Sequence, residues 1–226
     1  MSPWFLLFPV LPVSLVLALV YWVRWRRLAR AEFIRTYPFP PGLLDRLGKR
    51  RPGLSDKDKH LVGRGLRQFF LAYLSSGRQF VAMPSQVADE LWHEFILYTR
   101  HYQAFCKQAF GGMLHHTPAV VLAADKRDNA GLRRVWWQTC KEENINPRKP
   151  SRLPLLFALD AKLGIADGFH YTPDCSALRR HDPDGGSAHC GGDFSSDGDD
   201  GSTDGFGDAG SGDGSGDGGG GGCGGD

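Results

Sequence analysis

Twenty consecutive residues without a charge, Trp4 to Val23, constrain this chain more than any other feature. At about 1.5 Å per residue a helix of that length spans about 30 Å, the thickness of a bilayer's hydrocarbon core. Arg24, Arg26, Arg27 and Arg30 follow at once, and no basic side chain precedes the run. A cleaved signal peptide would have a basic start, a shorter apolar stretch and a small-x-small site, none of which is present. Trp4, Tyr21, Trp22 and Trp25 stand at the two ends, as interfacial aromatics do. The expectation is therefore a single N-terminal transmembrane helix with a basic flank over 1–30. It would be a single-pass anchor in a bacterial inner membrane, with the N-terminus outside and the C-terminal domain in the cytoplasm.

Charge and glycine are segregated at the other end. Residues 182–226 hold eleven aspartates and no Lys or Arg, so the formal net charge of +2 is a body of +13 and a tail of −11. From Ser176 onward Gly, Asp and Ser dominate, with too little apolar side chain to offset the entropy of ordering the backbone, and a disordered tail is expected over 176–226. Fragments such as DGDDGSTD look like calcium loops, but no Glu closes a twelve-residue loop. The five cysteines, an odd number without a CxxC pair, make a poor disulfide framework. Cys106 and Cys140 fall within helical patterns and read as buried thiols. Cys175, His181, His189 and Cys190 offer four N or S ligands, but their spacing matches no zinc knuckle.

Between the two ends the pattern is helical. A Pro-rich connector is expected over 31–54, with a helical turn at Leu43 to Leu47, and a helical domain over 55–175. Ser55 and Asp58 open a helix that carries Leu61, Leu66, Phe69, Phe70, Tyr73 and Leu74 and runs to Ser76. A second helix is predicted over 86–110, stopped by Gly111 and Gly112, a third over 128–143 and a short fourth over 155–163. Brief extended pieces are expected at 78–83 and 119–122. The fold class is mainly α, a small bundle of about four helices.

One segment of that bundle carries polar residues in apolar company. On a helix, Asp89 and His93 are one turn apart and flanked by Trp92 and Ile96, whereas Glu90, Glu94 and His101 form a solvent-facing wedge. Two readings are open. In one, Asp89 accepts from His93 and locks helix packing. In the other, Asp89 orients His93 from behind as a metal ligand, and His115 and His116, beyond the glycine turn, supply further imidazoles. One of these two would return alongside the helix while its neighbour points away. Two or three imidazoles and a carboxylate suit zinc, or another divalent transition metal such as iron or nickel.

The string WHEFILYT with Tyr102, Phe105, Cys106, Phe110 and His115-His116-Thr117-Pro118, followed by a glycine-rich, cysteine-bearing tail, resembles a family of uncharacterised bacterial glycine-rich domain proteins. Asp89, Trp92 and His93 are more distantly similar to the Asp, Trp-His pattern of plant glycine-rich domain proteins. The resemblance implies a shared helical module and no established catalytic activity. No phosphate loop, GxSxG or HExxH occurs, and nothing signals specific nucleic-acid binding. The leading expectation is a non-enzymatic, membrane-tethered helical interaction module with a protein partner and an acidic tail. The alternative is a metal-binding protein or metal-dependent enzyme using His93, His115 and His116.

Overall fold

The computed structural model describes residues 4–116, 127–173, 189–190 and 194, and is mainly helical. Seven helices occur among the described residues, not about four: α1 (Trp4–Thr36), α2 (Leu43–Arg50), α3 (Asp56–Ser75), α4 (Gln86–Leu97), α5 (Thr99–Phe110), α6 (Arg127–Glu142) and α7 (Leu155–Leu163). The expected piece at 119–122 lies outside the described residues, and 78–83 forms no strand.

No helix among the described residues is long and apolar enough to cross a membrane. That finding overturns the expected transmembrane anchor, its inner-membrane location and its orientation. The apolar run and the arginines that follow it belong to one continuous helix, α1. Leu15, Leu17, Tyr21, Trp25 and Leu28 are exposed.

The segment expected as a connector is part of the core. α1 continues to Thr36, and Ile34 is fully buried beside half-buried Phe33 and Tyr37. Leu43 and Leu47 of α2 are fully buried. α3 is the central helix and contacts α1, α2, α4, α6 and α7. Its start is the Ser55–Asp58 capping box, in which each residue's side chain satisfies the other's backbone N–H. Phe70 gathers Phe105, Trp92 and Phe110 at ring separations of 4.9, 6.1 and 6.1 Å.

The helix predicted over 86–110 breaks at Tyr98, which leaves helical geometry at φ −80° and ψ 58°. Apolar residues surround that segment on most of its circumference, and one straight helix cannot turn them all inward. The bend brings Phe95, Tyr102 and Phe105 together, with Phe95 5.2 Å from the Tyr102 ring and 5.5 Å from Phe105. The solvent-facing wedge also fails. Glu94 is only 4% exposed and is paired with Arg46 and Arg50 of α2, while Glu90 receives both arms of Arg51 at 2.9 and 2.6 Å. Those arginines lie far away in sequence, so helical periodicity alone could not foresee the cover; His101 does remain exposed.

The described residues of the tail lie against the body. Parallel strands β1 (Tyr171–Thr172) and β2 (His189–Cys190) pair Tyr171 with His189 and Thr172 with Cys190. Phe194 is fully buried against Trp136, Phe157 and Tyr171, with ring centroids 5.7, 5.9 and 6.2 Å away. Trp137 Nε1 donates to the Phe194 carbonyl at 3.0 Å. A single aromatic is enough to dock a polar segment that composition assigns to solvent. The remainder of the tail, with His181, and Cys175 just before it lie outside the described residues.

Candidate metal centre

The N-terminus of α4 is fixed from another helix. Ser85 caps it, its Oγ accepting from the Ala88 N–H at 3.3 Å. Asp160 of α7, 1% exposed, accepts from Ser85 Oγ at 2.8 Å and from the N–H groups of Gln86, Val87 and Phe169 at 2.7, 3.2 and 2.9 Å. Four donors hold one buried carboxylate, and the first-turn amides that a helix leaves unpaired are satisfied by it. Gly168 makes this contact feasible, since a Cβ there would sit 2.5 Å from that of Asp160. One turn into this anchored helix stands Asp89.

The facing element is the chain beyond α5. Gly111 ends α5 in the left-handed region at φ 78°, where a side chain would be strained and would meet Arg30. Tyr102, 1% exposed, then fixes the returning segment: its hydroxyl donates to the Leu114 carbonyl at 2.5 Å and accepts from Trp92 Nε1 at 3.1 Å. Burial, followed by the nearby Cys106, drives the Tyr102 pKa upward, so the phenol keeps its proton and remains a donor. Two residues on, His116 is carried against α4 with its ring edge-on to Trp92, the centroids 4.5 Å apart.

Asp89, His93 and His116 thus converge. His116 Nε2 is 2.8 Å from one Asp89 oxygen and His93 Nδ1 is 3.3 Å from the other. The two imidazole centroids are 4.1 Å apart, and the three ligand-type atoms all lie within 4.8 Å of one another. Ligands around one zinc or iron ion stand about 3 to 3.5 Å apart, given bonds of about 2.0 to 2.2 Å. Closing the set therefore needs rotation of side chains rather than movement of helices. Protonated at these nitrogens, both rings donate to the carboxylate. Deprotonated there, nitrogens and carboxylate oxygens direct lone pairs at shared space.

The sequence-based residues fall out unevenly. His93 and His116 meet, while His115 is exposed and outside the cluster, because adjacent residues of an extended chain face opposite ways. Asp89 was expected behind His93. Instead each of its oxygens faces one imidazole, which makes it a third ligand-type group. The His116 side chain is 11% exposed and that of His93 44%, so the cluster is closed on one side and open on the other. Asp160 and Tyr102 were not singled out as supports. A carboxylate inside the apolar run LLFALDAKL was the available signal for Asp160; none foretold that Tyr102 would hold Leu114.

Residues 29–194 match the model of the UCP032817-like family, which covers most of the chain and ends on the buried Phe194. This chain belongs to the UCP032817-like family. The matched stretch takes in every residue of the cluster and both of its supports. No curated protein and no solved structure matches this member of the family.

Proposed function

We propose that this protein is a helical metal-binding module that takes a divalent transition metal, zinc or ferrous iron, on Asp89, His93 and His116. The observation that carries the reading is the convergence of two imidazole nitrogens and a carboxylate within 4.8 Å from elements far apart in sequence. Two histidines and one carboxylate suit both zinc and non-haem iron(II), and three protein ligands leave coordination positions open on the exposed His93 side. Asp160 and Tyr102 would support the site by fixing the backbones that carry the ligands. Within the family we place this chain beside the glycine-rich domain proteins whose WHEFILYT and His-His-Thr-Pro strings it resembles, the site residues being polar members of those strings.

The test is elemental analysis of the full chain purified without a polyhistidine tag, then reloaded with zinc or iron(II). About one metal per chain is expected, retained by His115→Ala and lost by His93→Ala and His116→Ala. Wild type that takes up no stoichiometric metal, or a His116→Ala protein that loads equally, overturns the reading and leaves Asp89 as a structural acceptor for two rings.

A second reading, a module that docks a protein partner, is supported by the exposed apolar side chains of α1 from Val13 to Leu28. With a second copy of the chain as that partner, light scattering shows a species above 24.9 kDa that Leu17→Asp with Leu28→Asp returns to monomer. A monomeric wild type refutes self-docking.

A further inference from the structure

A cavity of about 800 Å³ opens between α1, α3, α6 and α7, and none of its lining residues belongs to the Asp89 cluster. Its volume is that of a small-molecule site. Five cations line it, Arg35, Arg64, Arg67, Arg152 and Lys162, against two carboxylates. Both carboxylates are already engaged. Glu142 takes both arms of Arg35 at 2.9 Å. Glu143 accepts from Arg152, from Gln68 Nε2 at 2.8 Å and from the Leu155 N–H at 2.6 Å. Among the described residues no carboxylate pairs with Arg64, Arg67 or Lys162.

Arg67 is the telling member. It is half-buried, its Nη2 donates to the Tyr37 carbonyl at 2.9 Å, and its guanidinium lies 4.4 Å over the Phe39 ring, yet its Nε is buried without a hydrogen-bond partner. Burial lowers its pKa, the mark of a cation held without an anion. A desolvated charge lacking a counter-charge is costly in a fold, and an incoming anion offsets that cost. The remaining wall is apolar, built from Leu61, Leu71, Leu155 and Ala158.

We propose that this cavity binds a small organic anion, a carboxylate or phosphate on an apolar body, with Arg67, Arg64 and Lys162 receiving the charged group and the leucines receiving the body. Guanidinium groups match carboxylate and phosphate oxygens in forked geometry, and Lys162 adds a mobile point charge. The inference does not depend on the metal reading.

Calorimetric titration of the full chain with phenyl phosphate and benzoate tests it, with phenol and inorganic phosphate as the body and the charge alone. One equivalent of phenyl phosphate or benzoate is expected to bind, about tenfold or more tighter than phenol or inorganic phosphate. Arg67→Gln should weaken binding by at least about tenfold. Because Arg67 also supports Tyr37, the paired change Arg64→Gln with Lys162→Gln, both at exposed positions, is measured beside it and should weaken binding by a similar factor. Absence of saturable binding by either anion, binding unchanged in the paired variant, or phenol binding as tightly as phenyl phosphate overturns the proposal.

Discussion

Phe194→Ala should be among the most damaging single substitutions in the chain. Phe194 is fully buried and stands within aromatic contact of Trp136, Phe157 and Tyr171, so truncation removes a whole ring from a dry cluster. Phenylalanine-to-alanine changes in close-packed cores cost about 3 to 5 kcal/mol, through lost transfer energy and the cavity left behind. The short, two-residue ladder between β1 and β2 contributes little to holding the segment once the ring is gone. A lower value, about 3 kcal/mol, is therefore expected if the segment detaches and the cavity fills with water. Deleting residues 176–226 also removes the Phe194 carbonyl that accepts from Trp137, which adds about 1 kcal/mol. Deleting only 195–226, which by composition holds little apolar side chain, should change stability by less than about 0.5 kcal/mol. Urea unfolding followed by tryptophan fluorescence measures all three, with Trp136 and Trp137 beside the perturbation. Phe194→Ala within about 0.5 kcal/mol of wild type refutes the docking of this aromatic and restores the expectation of a tail independent of the body.

Asp160→Ala strands four donors, three of them backbone amides, and should destabilise by about 3 to 5 kcal/mol in the same unfolding assay, whereas a loss below about 1 kcal/mol contradicts its anchoring role. Glu143 is subject to burial that by itself raises its pKa, but hydrogen bonds from Gln68, the Leu155 amide and Arg152 outweigh it and bring the net value below the ordinary 4.5. A carboxylate depressed on folding contributes stability that is present above its unfolded pKa and is lost as pH falls through the folded one. The stability gap between wild type and Glu143→Gln should therefore be full at neutral pH and shrink on acidification below 4.5; a gap independent of pH counts against it. Cys106 and Cys140 are fully buried, and burial raises both thiols, Cys140 to about 12, so neither should react with iodoacetamide in the native protein at mildly alkaline pH while both react after denaturation.

Legibility in the sequence followed the range of the interactions. The capping box at Ser55 and Asp58, the glycine stop at Gly111 and the helices near 128–143 and 155–163 are local, set by side chains a few residues apart, and the structure places them within a residue or two. What escaped was made by partners distant in the chain. Glu94 looks solvent-facing on a helical wheel until α2 brings Arg46 and Arg50 over it, and the break at Tyr98 involves neither Gly nor Pro but the burial of Phe95, Tyr102 and Phe105 in one cluster. Phe194 was hidden because a composition argument averages over a window, whereas docking depends on one ring and one hole. The membrane-span expectation treated the apolar run as a unit, while the helix joins it without interruption to the arginines and to Ile34 in the core. For the candidate centre, Asp89 and His93 are neighbours by helical spacing alone. The choice of His116 over His115 needed the position of Leu114, which Tyr102 sets.

The contact between His116 and Asp89 closes a loop of chain 27 residues long. For an unfolded chain, bringing such ends together costs about 3 kcal/mol of conformational entropy beyond the constant term. Here that cost is met during folding by the aromatic cluster and the Tyr102 bridge, before any third party arrives. A peptide copying α4 alone would present Asp89 and His93 without the distant imidazole, and a longer peptide reaching His116 would have to supply the closure from its own binding energy. Whatever engages this cluster in the folded protein meets groups already brought together, and its affinity reports on the integrity of the whole helical body rather than on one helix.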